Sequence, residues 1–161
     1  MKIGSITTII VIALTAIMAF VSIPAFAQDK PTENMELILE KARADKKQLV
    51  AESLKLTEME AKSFWPIYDS YQKGLGKLFD RKIKLIQNYA KNYETMSDEV
   101  AKSLLDESMA NEREYLKLRQ SFVPKFRKVL SEKSVVRYYQ IEYKIRAIME
   151  YDIAKQIPLM K

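Results

Sequence analysis

The sequence predicts an all-α fold of four helices, with a long antiparallel helical hairpin (about 58–95 and 98–130) flanked by an N-terminal and a C-terminal helix. Three observations carry that prediction. The 161 residues include only 3 glycines and 5 prolines, so long stretches run without a helix breaker. Residues suited to capping a helix stand where those stretches begin, at Thr57, Ser97 and Ser131. Apolar residues recur in alternating steps of four and three along the second and third stretches, the spacing of a helical seam.

The first segment reads as an address rather than as part of the fold. Lys2 gives a positive start, and Ile6 to Val21 is an uncharged, mostly apolar run of about 16 residues, short for a membrane span. Pro24 and then Ala25-Phe26-Ala27 follow, the small-x-small pattern that a signal peptidase reads. Residues 1–27 are therefore expected to be a signal peptide cleaved between Ala27 and Gln28, with an uncleaved anchor as the alternative. That leaves residues 28–161 as a single α-helical domain, exported to the periplasm.

The first helix is expected over about Met35 to Leu54, with Met35, Ile38, Ala42 and Leu49 along one side. The second starts at Thr57, with Glu60 placed to complete a capping box, and is expected to kink at Pro66. With about 38 residues it would be roughly 57 Å long, against roughly 30 Å for a small compact domain, so the molecule is expected to be elongated. The third starts after Ser97, with Asp98 and Glu99 at the positive end of its dipole, and contains Pro124. Ser131 caps the fourth, which Pro158 stops.

The seam of the second helix is Phe64, Tyr68, Tyr71, Leu75, Leu78, Lys82, Leu85 and Tyr89. In the third helix the matching series is Leu105, Met109, Glu112, Leu116, Arg119, Val123, Phe126 and Leu130. A fold about Ser97 sets Leu85 on Met109, Leu78 on Leu116, Tyr71 on Val123 and Phe64 on Leu130. It also sets Lys82 on Glu112, an ion pair read as a device that fixes alignment. Arg119 would have to carry its charge outward along its stem.

Composition excludes much chemistry. With no cysteine and no histidine, the chain has no Ser-His or Cys-His nucleophile, no His/Cys zinc site and no Glu-x-x-His di-iron site. The 8 methionines are scattered and read as core filler, so no cofactor and no metal is expected. A net charge of +6, or +5 once Lys2 leaves with the signal peptide, points to acidic partners for an exported chain, and export argues against nucleic acid. A membrane surface is compatible with that charge but not required.

Three surfaces are candidates for contact. The fourth helix is apolar on two sides, Tyr138, Ile141, Ile145, Ile148 and Met149 on one and Val136, Tyr139, Tyr143, Ala147, Tyr151 and Ala154 on the other. Polar edges divide them, with Arg137 and Lys144 on one flank and Glu142 and Arg146 on the other. Either both sides are sandwiched, or the tyrosine side meets a partner, a second copy or a client. Lys73 and Lys77 would lie beside Lys117 and Arg119 across the hairpin, either as a solvated face or as a basic binding surface. Trp65 and Ile67 point away from the seam, toward other helices or a client groove.

Leu56-Thr57-Glu58-Met59-Glu60 resembles the L-T-x-x-Q motif of the Spy/CpxP family of periplasmic stress proteins, with Glu60 in place of the glutamine. Leu130-Ser131-Glu132-Lys133-Ser134 is a weaker second copy. The stretch Leu56 to Tyr71 also resembles a group of exported proteins with an L-T-x-x-E…F-W-P-x-Y pattern. The first resemblance implies an ATP-independent periplasmic chaperone, a dimeric helical cradle that holds unfolded clients on a basic, partly apolar face. It equally implies a regulator that binds an envelope-stress sensor. The residues themselves point to a binding protein rather than an enzyme, with carboxylates spread along helix faces and no paired acids in a cleft.

Overall fold

The computed structural model describes residues 44–160. The leader and the first part of the first helix, with Met35, Ile38 and Ala42, lie outside the described residues. The described residues are all-α, with four helices and no strand: α1 over 44–54, α2 Glu58–Asn92, α3 Asp98–Arg127 and α4 Glu132–Gln156. A single 3-10 turn, Tyr93–Thr95, lies between α2 and α3.

The caps set these boundaries. Thr57 accepts from the Glu60 N–H at 3.3 Å, and the Thr57 N–H donates back to the Glu60 carboxylate at 2.9 Å, a complete capping box. The Ser97 hydroxyl accepts from the Val100 N–H at 3.3 Å, and Ser131 accepts from the Ser134 N–H at 3.2 Å. Helix α1 ends differently. Lys55 takes a left-handed conformation, φ 50°, and its N–H donates to Ala51 at 3.1 Å. Pro66 and Pro124 are carried inside α2 and α3. Both prolines are exposed, as are Lys62 and Gln120, whose carbonyls each proline leaves without a helical donor, so water can serve them.

The helices sort into two compact units. One spans Leu56–Val135 and is built on the hairpin of α2 and α3. At its centre Phe64, Tyr68, Tyr71 and Phe126 are buried, with Phe122 and Leu130 nearly so. Phe64 and Phe126 lie 5.5 Å apart between ring centroids, and Tyr71 and Phe122 5.1 Å, so this end is joined by aromatic packing. Burial of each ring stabilises the pair of helices by roughly 2–3 kcal/mol. Farther along, Arg81 donates to Glu107 at 2.6 Å across the hairpin. The second unit joins residues 44–55 to Val136–Pro158 and packs α1 on α4, with Val50, Leu54, Tyr138 and Ile145 buried.

The hairpin and the α2 seam are as the sequence predicts, since all eight α2 seam positions are buried or half-buried. The face expected of α3 is corrected. Leu105, Met109 and Leu116 are 58%, 53% and 52% exposed, and Glu112 is exposed too. The inward stripe runs instead through Leu104, Ser108, Asn111, Tyr115, Leu118 and Phe122, and rejoins the expected one at Phe126 and Leu130. Tyr71 therefore meets Phe122 rather than Val123. The polar residue buried in the α3 seam is Asn111, whose amide donates to the Leu78 carbonyl at 3.2 Å. The physical reason is charge. The inward stripe up to Phe122 carries no ionised side chain, whereas the expected one would desolvate Glu112 and Arg119. Gly74 marks a point of close approach, where an added Cβ would come within 2.9 Å of both Leu118 methyl carbons.

Candidate binding surface

Helix α4 is built to present one side. At 100° per residue, Val135, Tyr138, Glu142 and Ile145 fall on a single face, and all four are buried. The opposite face carries Val136, Tyr143, Ala147, Tyr151 and Ala154, all exposed, with Val136 at 55%, Tyr143 at 66% and Tyr151 at 64%. Between Val136 and Gln156 the exposed charged residues are Arg137, Lys144 and Lys155, and no carboxylate is among them. The Lys155 ammonium sits 5.5 Å from the centre of the Tyr151 ring.

Beyond the first turn of α4, which carries the exposed Glu132, its acids are buried or half-buried. Glu142 is 4% exposed and receives the Lys46 ammonium of α1 at 2.9 Å, an ion pair inside this unit. Glu150 is half-buried and lies 3.5 Å from Arg146. The exposed side of α4 is therefore at once aromatic and cationic.

Tyr143 and Tyr151 are accessible, the second of the two arrangements that the sequence leaves open. Tyr139 is a correction. It is only 8% exposed, because it sits about 40° nearer the buried face than Tyr143 does, and it packs on Tyr138 at 5.4 Å. Arg146 is half-buried beside Glu150, and Glu142, expected on a polar flank, belongs to the buried face.

In the hairpin unit, Lys73 and Lys77 are exposed on α2, while Lys117 donates to Glu114 at 2.7 Å and Arg119 is half-buried. Trp65 and Ile67 are half-buried, and Trp65 sets its ring edge-on to Phe64 and Tyr68 at 5.0 and 5.3 Å. Lys82 is half-buried at the α2 seam.

Four carboxylates of this unit are held below their ordinary range. Glu60 is lowered by the Thr57 backbone N–H and then its hydroxyl, and Glu99 by its own N–H and then the Ser97 hydroxyl. Glu107 is lowered by the Arg81 hydrogen bond, and Glu114 by that from Lys117. Each shift belongs to a cap or a surface ion pair.

Sequence reasoning missed the exposed α3 residues Leu105, Met109 and Leu116, having assigned them to the seam. Among the described residues no helix is long and apolar enough to cross a membrane, and no cluster of acidic side chains is placed to hold a metal ion. Comparison of the chain with protein-family models, with curated proteins and with solved structures finds no match.

Proposed function

We propose that this chain is an exported binding protein of the periplasm, an ATP-independent chaperone of the Spy/CpxP type that holds unfolded or acidic protein segments. The observation that carries the proposal is the outer side of α4, where Tyr143 and Tyr151 stand exposed in a segment whose exposed charges are Arg137, Lys144 and Lys155, with Glu142 buried and Glu150 drawn to Arg146. Two tyrosines about two-thirds exposed offer roughly 100–150 Å² of ring each, or about 3 kcal/mol apiece when covered, before the cost of ordering a partner. The cations favour acidic segments and speed encounter. An unfolded chain supplies both the apolar groups and the carboxylates that such a face matches.

The test is suppression of aggregation of a reduced, unfolded model protein at equimolar ratio without ATP. Suppression by the native chain, and its loss in a Tyr143→Ser/Tyr151→Ser double variant of unchanged helicity, supports the reading. No effect at several-fold molar excess overturns it. Recovery of a single stoichiometric membrane-protein partner, with no general holding activity, would make the chain a signalling adaptor instead.

A further inference from the structure

Between Lys73 and Lys91, helix α2 carries six cations and a single carboxylate, the exposed Asp80. Two of the cations are used inside the hairpin: Arg81 donates to Glu107, and Lys82 is half-buried at the seam. The other four, Lys73, Lys77, Lys84 and Lys91, are all exposed, and none of them makes an ion pair among the described residues. At 100° per residue they fall within about 40° of one another, on a side of α2 turned away from the seam. Successive lysines are four, seven and seven residues apart, so the row runs for about 27 Å at 1.5 Å per residue. Across the hairpin, the α3 carboxylates Glu107 and Glu114 are already engaged, by Arg81 and by Lys117. The row therefore keeps its charge.

Spacing decides what such a row can recognise. Lys77, Lys84 and Lys91 stand about 10.5 Å apart along the helix, too far for two of them to hold one phosphate or carboxylate group. Each ammonium is a hydrated point charge on a flexible stem, without the planar fork that fixes a defined anion. No exposed side chain among residues 73–91 is aromatic, so bases of a nucleic acid would find no stacking platform. What meets all four lysines at once is a flat array of anions laid along the helix. We infer that this outer side of α2 docks on an anionic lipid surface, with Lys73, Lys77, Lys84 and Lys91 against its phosphate headgroups. The docking is peripheral, since no helix among the described residues is long and apolar enough to cross a membrane. A lysine at such a surface adds about fivefold in binding, and its pull decays within a Debye length, about 8 Å at physiological salt. The row lies on α2 and the tyrosine face on α4, so lipid docking and client capture are probed by different variants.

Co-sedimentation of the full exported chain, purified after processing, with lipid vesicles tests the inference. The vesicles are phosphatidylcholine alone, or phosphatidylcholine with about one-third phosphatidylglycerol. Binding is expected on the anionic vesicles only, and is expected to fall steeply as salt rises from about 0.1 M to about 1 M. Lys77→Gln/Lys84→Gln is expected to weaken it by roughly twentyfold. Lys128→Gln/Lys133→Gln removes the same charge from exposed positions beside the α3–α4 turn, and is expected to weaken it by less than about threefold. Glutamine nearly matches lysine in helix propensity, so helicity by circular dichroism is expected to be unchanged in both variants. No binding to the anionic vesicles at low salt overturns the inference. So do equal losses in the two double variants, binding that persists on neutral vesicles, or capture of soluble polyphosphate without capture of vesicles.

Discussion

Asn111 tests the energetics of the hairpin most directly. It is 7% exposed in the inward stripe of α3, which carries no ionised side chain up to Phe122; its amide nitrogen donates to the Leu78 carbonyl at 3.2 Å, and its side-chain oxygen is buried with no donor to it. Asn111→Leu removes that buried oxygen, which relieves about 1–3 kcal/mol of uncompensated desolvation. It also removes one neutral hydrogen bond, which costs about 1 kcal/mol. Leu78 lies well inside α2, so its carbonyl keeps a helical donor four residues on and is not orphaned. The leucine adds roughly 2 kcal/mol of apolar burial, against a strain of about 1 kcal/mol for its slightly greater bulk.

The balance is a gain of about 2 kcal/mol, or roughly 5–10 °C in the melting midpoint of a domain this size. Far-UV circular dichroism during heating and in urea would measure it. A polar seam residue costs stability and specifies alignment, which is why Asn111→Leu is expected to be more stable and less strictly registered. A loss of 1 kcal/mol or more would refute this account of Asn111, and would mean that its hydrogen bonding is worth more than the burial it displaces.

Three further outcomes follow from local geometry. An added Cβ at Gly76 meets nothing within 4 Å, so Gly76→Ala is expected to stabilise by about 1 kcal/mol through helix propensity, while at Gly74 the same change presses on Leu118 and forfeits that gain; urea denaturation of the two variants side by side checks the difference. Lys55 ends α1 in the left-handed region, so Lys55→Gly is expected to add about 1 kcal/mol, read from the same curves. Because Glu60, Glu99, Glu107 and Glu114 have lowered values in the folded chain, their contribution is complete well above the ordinary carboxylate value of 4.5 and is lost as the pH falls through the lowered values. A melting midpoint that rose on acidification through that window would contradict these assignments.

The helices and caps were legible because they depend on local signals. Thr57 with Glu60, Ser97 and Ser131 each act within one turn, and the scarcity of glycine and proline allows long helices without reference to anything distant. The α2 seam was legible at Phe64, Tyr68 and Tyr71 because the series one residue over, Trp65, Asp69 and Gln72, is mostly polar. The two apolar sides of α4 were legible from their spacing, but the assignment failed at Tyr139, where about 40° of rotation separates a buried ring from the exposed one at Tyr143.

Helix α3 is the instructive failure, because it holds two apolar series one residue apart: Leu104, Leu118 and Phe122 in one, Leu105, Leu116 and Val123 in the other. Hydrophobicity alone does not separate them. Desolvation decides between them, since a stripe that buries Asn111 and Ser108 costs far less than one that buries Glu112 and Arg119.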